Sequence, residues 1–249
     1  MSDRNRYQQY RFRSSGIGGS SLTPMVKRLL IANVAVYLFQ LFFGGYTFVA
    51  YFAVSVDAFF SGFFWQPFTY MWLHAPSSAF HLLFNMFALW MFGGPLESVW
   101  GSRRFLRFYL TCGVGAGVII VLWNSLMGVP YPTLGASGAI YGLLMAFGLT
   151  WPDRTIVLLF PPIPIKAIWF IPFLFLMSLL FGGGNISHVG HLGGVIVAGW
   201  LMRGELSRYL SFGSLRHRWH RWRMRNRLRA VRREEWERRN EDDDEPRPH

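Results

Sequence analysis

Long apolar runs, separated by short polar, glycine-rich or proline-rich stretches, dominate the hydropathy pattern of the chain. Six of them are long enough to be helical, at about 26–44, 78–97, 103–123, 136–151, 167–182 and 188–202, and a helix of roughly 20 apolar residues crosses a hydrocarbon core about 30 Å thick. The pattern predicts an all-α polytopic membrane protein with six transmembrane helices forming one domain over residues 24–203. A polar N-terminal segment at 1–23 precedes it, and a basic tail with an acidic end, 204–249, follows.

Composition supports a lipid solvent. With 52% hydrophobic, 18% aromatic and only 15% charged residues, a chain of 249 residues has too little polar surface to wrap a water-soluble globule. The first sixteen residues are polar and arginine-rich and lack the apolar region of a cleavable signal peptide, so the first span is expected to remain as a signal anchor. The single cysteine, Cys112, lies in an apolar run, which leaves neither a disulfide framework nor a thiolate metal cluster.

Charge gives the orientation. Arg4 to Arg28 precede or open the first span, Arg103, Arg104 and Arg107 lie between the second and third, Arg154 and Lys166 between the fourth and fifth, and every other Lys or Arg follows the sixth. None falls in the loops at roughly 45–77, 124–135 and 183–187, so the positive-inside rule predicts an N-in, C-in topology. The first of these outer loops carries Phe63, Phe64, Trp65, Phe68, Tyr70 and Trp72 with almost no charge, as a segment at the lipid–water boundary would, either as an aromatic belt or as a guide for substrate. On the inner side, Pro161, Pro162 and Pro164 break any helix ahead of Lys166. The Arg- and Trp-rich tail around 216–229 is expected to lie on anionic lipid headgroups, with no nucleic-acid partner. Its acidic end is expected to be solvated.

Polar residues within spans are costly and therefore conspicuous. On the outer halves lie His81, Asn85, Ser137, His188 and His191. At about 1.5 Å per residue, Asn85 stands roughly 18 Å from Glu97 at the inner boundary, His191 roughly 18 Å from Arg203, and Ser137 roughly 21 Å from Trp151, which puts all three in one layer below the outer surface. The fourth span covers only about 24 Å from Ala136 to Trp151, so the chain through Pro130, Tyr131 and Pro132 must dip into the membrane, where protein or a water-filled cavity has to surround it.

A serine hydroxyl becomes a nucleophile when a base takes its proton, and histidine suits that task near neutral pH. Ser137 and His191 are the candidate pair. His81 and Asn85, at i and i+4, and the Ser137 backbone N–H are candidate donors to an oxyanion. Tyr141, one turn after Ser137, can pack on the His191 ring. Asp57 is the only acid in the outer loops, so a dyad is more economical than a triad. His-Glu-x-x-His, a phosphate-binding glycine loop and paired aspartates within spans are all absent, which disfavours metalloprotease and aspartyl chemistry. Taken alone, Gly-Ala-Ser-Gly is weak, because small residues crowd helix interfaces in lipid and Ala139 departs from the esterase Gly-x-Ser-x-Gly pattern. Gly142 with Ala146, and Gly194 with Ala198, read as small-residue surfaces bringing the fourth and sixth spans together. His188 reads as a polar rim residue, and His74 as core or interface.

Four motifs in order, His81-Leu82-Leu83-Phe84-Asn85, Gly93-Gly94-Pro95-Leu96-Glu97, Gly135-Ala136-Ser137-Gly138 with Tyr141, and His191-Leu192-Gly193-Gly194, resemble the rhomboid intramembrane serine proteases over about residues 24–203. Trp65 to Tyr70 and Pro162 to Lys166 are similar to stretches of prokaryotic members. The resemblance implies Ser137 as nucleophile, His191 as general base, and His81 and Asn85 lining the oxyanion hole. It also implies Tyr141 stacked on His191, with Gly135, Gly138 and Gly194 in support, and no metal or organic cofactor. The implied substrates are transmembrane proteins, cut near the outer face of a prokaryotic plasma membrane. Gln66 stands where some members carry arginine, and Ala198 where some carry glycine. A non-catalytic relative that binds membrane helices, or less readily a transporter, are the alternatives.

Overall fold

The computed structural model describes residues 22–157, 162–181 and 187–210, together with Met224. The segment before residue 22, residues 158–161 with Pro161, residues 182–186, and the basic and acidic tail beyond Leu210 apart from Met224 lie outside the described residues. Among the described residues there are six long helices: α1 Pro24–Phe52, α2 Ala79–Trp100, α3 Ser102–Met127, α4 Ser137–Thr150, α5 Ala167–Phe181 and α6 His188–Leu201. The first three are long and apolar enough to cross a membrane, and the other three are shorter apolar helices, as in polytopic membrane proteins. Met202 closes one compact unit, and Arg203–Leu210 is a helix of a second.

The helix ends explain how one end of the bundle is tied together. Glu97, buried near the end of α2, accepts from the Thr23 hydroxyl, from the backbone N–H groups of Met25 at 2.8 Å and Val26 at 2.9 Å, and from Ser102 Oγ at 2.5 Å. The first N–H groups of α1 have no partner within their own helix, and a carboxylate at a helix N-terminus is also favoured by the macrodipole. One acid thus fastens the starts of α1 and α3 to the end of α2.

Two helices widen locally into π turns, at Gln40–Gly44 in α1 and Leu89–Gly93 in α2. The second immediately precedes Pro95, which has no N–H to continue an ordinary ladder, so the extra residue in the turn absorbs the break. In α1 the π turn ends at Gly44, Gly45 leaves the helical range (φ 51°, ψ −171°), and a further helical stretch, Gly45–Phe52, follows beyond the boundary expected from the apolar run. At its other end α3 reaches Met127 and stops at Gly128, whose left-handed backbone (φ 66°) lets its N–H bond to the Asn124 carbonyl.

The loop between α1 and α2 is built rather than loose. Short helices at Val56–Phe60 and Gln66–Thr69 lie within it. Gln66, fully buried, accepts from the Ser55 N–H at 3.1 Å and donates to the Ala50 carbonyl at 3.1 Å, while Trp65 Nε1 donates to the Tyr51 carbonyl at 3.0 Å. A neutral amide can satisfy this backbone from inside the protein, where an unpaired charge would be costly. The chain leading into α4 pairs with the same loop: Val54 and Thr133 exchange backbone bonds of 2.9 and 2.7 Å, and the Gly135 N–H donates to the Tyr70 carbonyl at 3.0 Å. Protein therefore satisfies the backbone of the non-helical segment that leads into the short α4, as the expected dip into a membrane would require.

Buried on nearly every side from Gly138 to Leu149, α4 is the central helix. Its close approach to two neighbours depends on missing side chains: a methyl at Gly194 of α6 would overlap the Gly138 carbonyl, and one at Gly142 would lie 2.6 Å from Cys112 Cβ of α3. The Pro-rich connection from α4 to α5 forms an antiparallel pair, Thr155–Val157 with Pro164–Lys166, a hairpin not anticipated from its prolines. In α5, Ala167, Phe170 and Ile171 are buried, whereas from Pro172 to Leu180 no residue is. Large apolar side chains such as Phe42, Phe84, Leu122, Trp169 and Trp200 cover the outer faces of these helices.

Candidate active site

Ser137 is the first residue of α4, so its backbone N–H has no acceptor within the helix and is free to serve a ligand. The chain reaches it through Gly135 at φ 127°, a conformation open to glycine alone. A methyl at Gly135 would lie 2.9 Å from both Cε1 and Nε2 of His81, and 3.9 Å from Ser137 Oγ. The Nε2 edge of His81 and the serine hydroxyl therefore flank the same bare patch of backbone.

His81 belongs to the first turns of α2, and its other ring nitrogen is engaged. Nδ1 accepts from the Ala75 N–H at 3.3 Å. In a neutral imidazole an accepting Nδ1 leaves the proton on Nε2, so the edge facing Gly135 is a donor. Asn85, one turn on and buried, gives one N–H of its amide to the His81 carbonyl at 2.7 Å, which leaves a second amide hydrogen available. Both side chains were expected to aim at one oxygen; the structure brings His81 to Ser137 and holds the Asn85 amide against its own helix.

His191, 7% exposed in the first turn of α6, lies flat against Tyr141, with ring centroids 4.1 Å apart and planes 12° apart. The turns carrying the two candidates abut, since a methyl at Gly138 would lie 3.3 Å from the Gly190 carbonyl. Ser187 caps α6 by accepting from the Gly190 N–H at 3.2 Å. His191 Nδ1 has no hydrogen-bond partner, and no hydrogen bond joins Ser137 Oγ to the His191 ring among the described residues. Without substrate such pairs are commonly longer than in the working complex. Among the described residues no group of three or more His, Cys, Asp or Glu side chains could hold a metal ion.

Three residues join this neighbourhood that the sequence did not single out as functional. Ser178 in α5 donates to the Phe175 carbonyl at 3.0 Å and lies 3.2 Å from His188 Nδ1. Its only proton is used on Phe175, so it accepts from a protonated His188 Nδ1, and Tyr141 is a further hydrogen-bonding neighbour. His188, expected as a rim residue, thus connects α6 to α5. Behind His81 lies His74, fully buried between the spans, its ring 5.2 Å from the His81 ring. Burial, aided by the neighbouring His81, holds His74 down to about 3, so it is neutral. The third is Gln40, which holds the backbone of His74 from α1.

Residues 61–207, more than half of the chain, match the family described as Rhomboid domain, and the chain belongs to the rhomboid family. It is 34% identical over 131 residues to Rhomboid protein 1, mitochondrial, of Saccharomyces cerevisiae, covering 48% of this chain and 37% of that one. It is also 34% identical over 151 residues to Rhomboid protease GluP of Bacillus subtilis, covering 60% and 28%. Presenilin-associated rhomboid-like protein, mitochondrial, of Homo sapiens is 29% identical over 130 residues, covering 49% and 34%. The chain spans about a third of the length of these relatives. Family membership and the apolar helices together make it an integral membrane protein.

Proposed function

We propose that the chain is an intramembrane serine endopeptidase that cuts transmembrane segments of membrane proteins near the outer face. Ser137 attacks the peptide carbonyl while His191 takes its proton and later returns it to the leaving amine. The oxyanion forms beside Gly135 and is met by His81 Nε2–H, the Ser137 N–H and the second amide hydrogen of Asn85. No metal or organic cofactor enters this scheme. What supports the reading is that Ser137, at a helix N-terminus, and the Nε2 edge of His81 flank Gly135, while the turn of α6 that carries His191, flat on Tyr141, abuts the start of α4. The name of the Bacillus subtilis relative, a rhomboid protease, adds support.

In this reading residues 24–203 cross a prokaryotic plasma membrane six times, with both termini inside and the site open outward. Segments 1–23 and 204–249 are cytoplasmic, and the basic tail rests on anionic headgroups rather than nucleic acid. Substrates are transmembrane proteins.

The absence of a Ser137–His191 hydrogen bond favours one other reading, a non-catalytic relative that binds membrane helices without cutting them. One assay separates the two. The full chain in detergent is incubated with a synthetic transmembrane peptide carrying small residues near its outer end between a fluorophore and a quencher. The protease reading expects cleavage by wild type and a loss of at least about 10³-fold for Ser137→Ala and for His191→Ala, since members of a nucleophile–base pair act as a unit. Cleavage by either variant at the wild-type rate would overturn it, and peptide binding without cleavage by wild type would establish the alternative.

A further inference from the structure

Gln40 lies on the first helix, 41 positions before His81 in the sequence, yet a continuous set of hydrogen bonds joins them. The Gln40 side chain is 3% exposed, and one backbone takes both ends of its amide: Nε2 donates to the His74 carbonyl at 2.8 Å and Oε1 accepts from the His74 N–H at 3.2 Å. The His74 carbonyl belongs to the same peptide unit as the Ala75 N–H. That N–H is the group that donates to His81 Nδ1 at 3.3 Å.

Gln40 thus pulls on the oxygen of a peptide whose hydrogen fixes His81. A donor on a carbonyl polarises the peptide and strengthens its N–H as a donor, the cooperative effect expected of hydrogen-bond chains in a low-dielectric interior. Further contacts hold the same peptide in place. His74 sits edge-on to Tyr37, one turn before Gln40 on α1, with ring centroids 6.4 Å apart, and its other side meets His81. Gln40 also opens the π turn of α1, a local widening that is uncommon and often found at functional sites. A buried amide in an apolar run costs free energy unless every polar atom is matched, and here the matching group is the backbone that orients a candidate oxyanion donor.

We propose that Gln40 is a positioning residue: through the His74–Ala75 peptide it keeps the His81 proton on Nε2, facing Gly135 and Ser137. Without this clamp the Ala75 N–H is free to tilt, both neutral tautomers of His81 become populated, and the fraction with its proton on Nδ1 offers a lone pair where the developing oxyanion needs a hydrogen. The inference rests on the reading of His81 as an oxyanion donor, but its physical core, the tautomer, is measurable without any reaction.

The experiment uses the full chain in detergent, labelled with 15N at histidine, with the His81 signals assigned by their loss in His81→Asn. Wild type should show a bare Nδ1 and a protonated Nε2. Gln40→Met, similar in length and without polar atoms, should show a mixture, with kcat on the quenched transmembrane peptide lowered about tenfold and KM within twofold, a smaller loss than removing an oxyanion donor outright. Gln40→Glu supplies a control by chemistry. Protonated, its carboxylic acid donates to the His74 carbonyl and accepts from the His74 N–H as the amide does; ionised, it has no hydrogen to donate. Its activity relative to wild type should therefore be close to one at low pH and fall as pH rises, and the His81 tautomer should follow.

A His81 ring unchanged in Gln40→Met overturns the proposal. So does a Gln40→Met activity loss that merely tracks the folded fraction measured by thermal unfolding, or a Gln40→Glu profile parallel to wild type. Cleavage by Ser137→Ala would instead defeat the nucleophile assignment, and the tautomer result would stand or fall by itself.

Discussion

At the scale of single residues, the Tyr141–His191 stack separates two jobs that one side chain performs. The ring, flat on the imidazole, fixes its plane, and the hydroxyl reaches toward Ser178 and so toward α5. Removing only the hydroxyl keeps the first job. Tyr141→Phe should retain cleavage of the quenched peptide to within about threefold, whereas Tyr141→Ala should lose about tenfold or more, since an aromatic pair contributes about 0.5–1.5 kcal/mol beyond its buried area and a freed imidazole loses its orientation. Steady-state kinetics of the two variants checks this, and equal losses would mean that the hydroxyl, not the ring, is what matters. The residues on which this site turns differ in how readily the sequence reveals them. Ser137, His81, Asn85 and His191 stand out because a polar group in a span is costly. Gln40 is polar in a span too, but its partner is backbone 34 residues away, a relation no spacing rule encodes. Ser178 is hidden by being small, and small hydroxyl residues are common wherever helices touch.

The elements show which local signals carry through and which are overridden. Periodicity and length locate the six long helices, and the Gly44-Gly45 pair marks a real break, Gly45 turning out of the helical range after the π turn (φ 51°, ψ −171°), but neither signal shows the helical stretch Gly45–Phe52 that resumes beyond it. Such turns are defined by hydrogen bonding and leave no periodic trace in the residue pattern. The small-residue surfaces of α4 and α6, by contrast, are legible, and the structure adds which atoms meet. The Gly138 carbonyl fills the space a Gly194 side chain would need, so Gly194→Ala must force backbone apart rather than shift a flexible side chain. It should lower stability by about 3 kcal/mol, the upper part of the usual range for overpacking, and should reduce cleavage as α6 carries His191 away from Ser137. Gly204→Ala, where nothing lies within 4 Å of the added methyl, should be neutral or slightly stabilising. Thermal unfolding of the two variants in detergent tests the difference; equal midpoints would show that α4 and α6 can separate freely.

Over the molecule as a whole, the arrangement depends on depth. Glu97 ties the starts of α1 and α3 to the end of α2 at one level, while the short α4 begins where Val54 and Tyr70 receive the descending chain. A helix of 14 residues covers about 21 Å, less than a bilayer core, so its N-terminus lies below one surface if its other end reaches the opposite one. Which surface that is follows from charge. Lys and Arg are confined to the termini and to the connections on the Glu97 side, and the segments next to Ser137 have none, so the site should face outward. Fusions test this in a bacterial host: alkaline phosphatase, active only outside the cytoplasm, should be active when joined after Met127, and green fluorescent protein, fluorescent only inside, should light up when joined after His249. Both should reverse sign for fusions moved to the connection after Thr150 and to a position after Gly128 respectively. An active phosphatase after Thr150 would invert the molecule, and water for hydrolysis would then have to reach Ser137 from the cytoplasm.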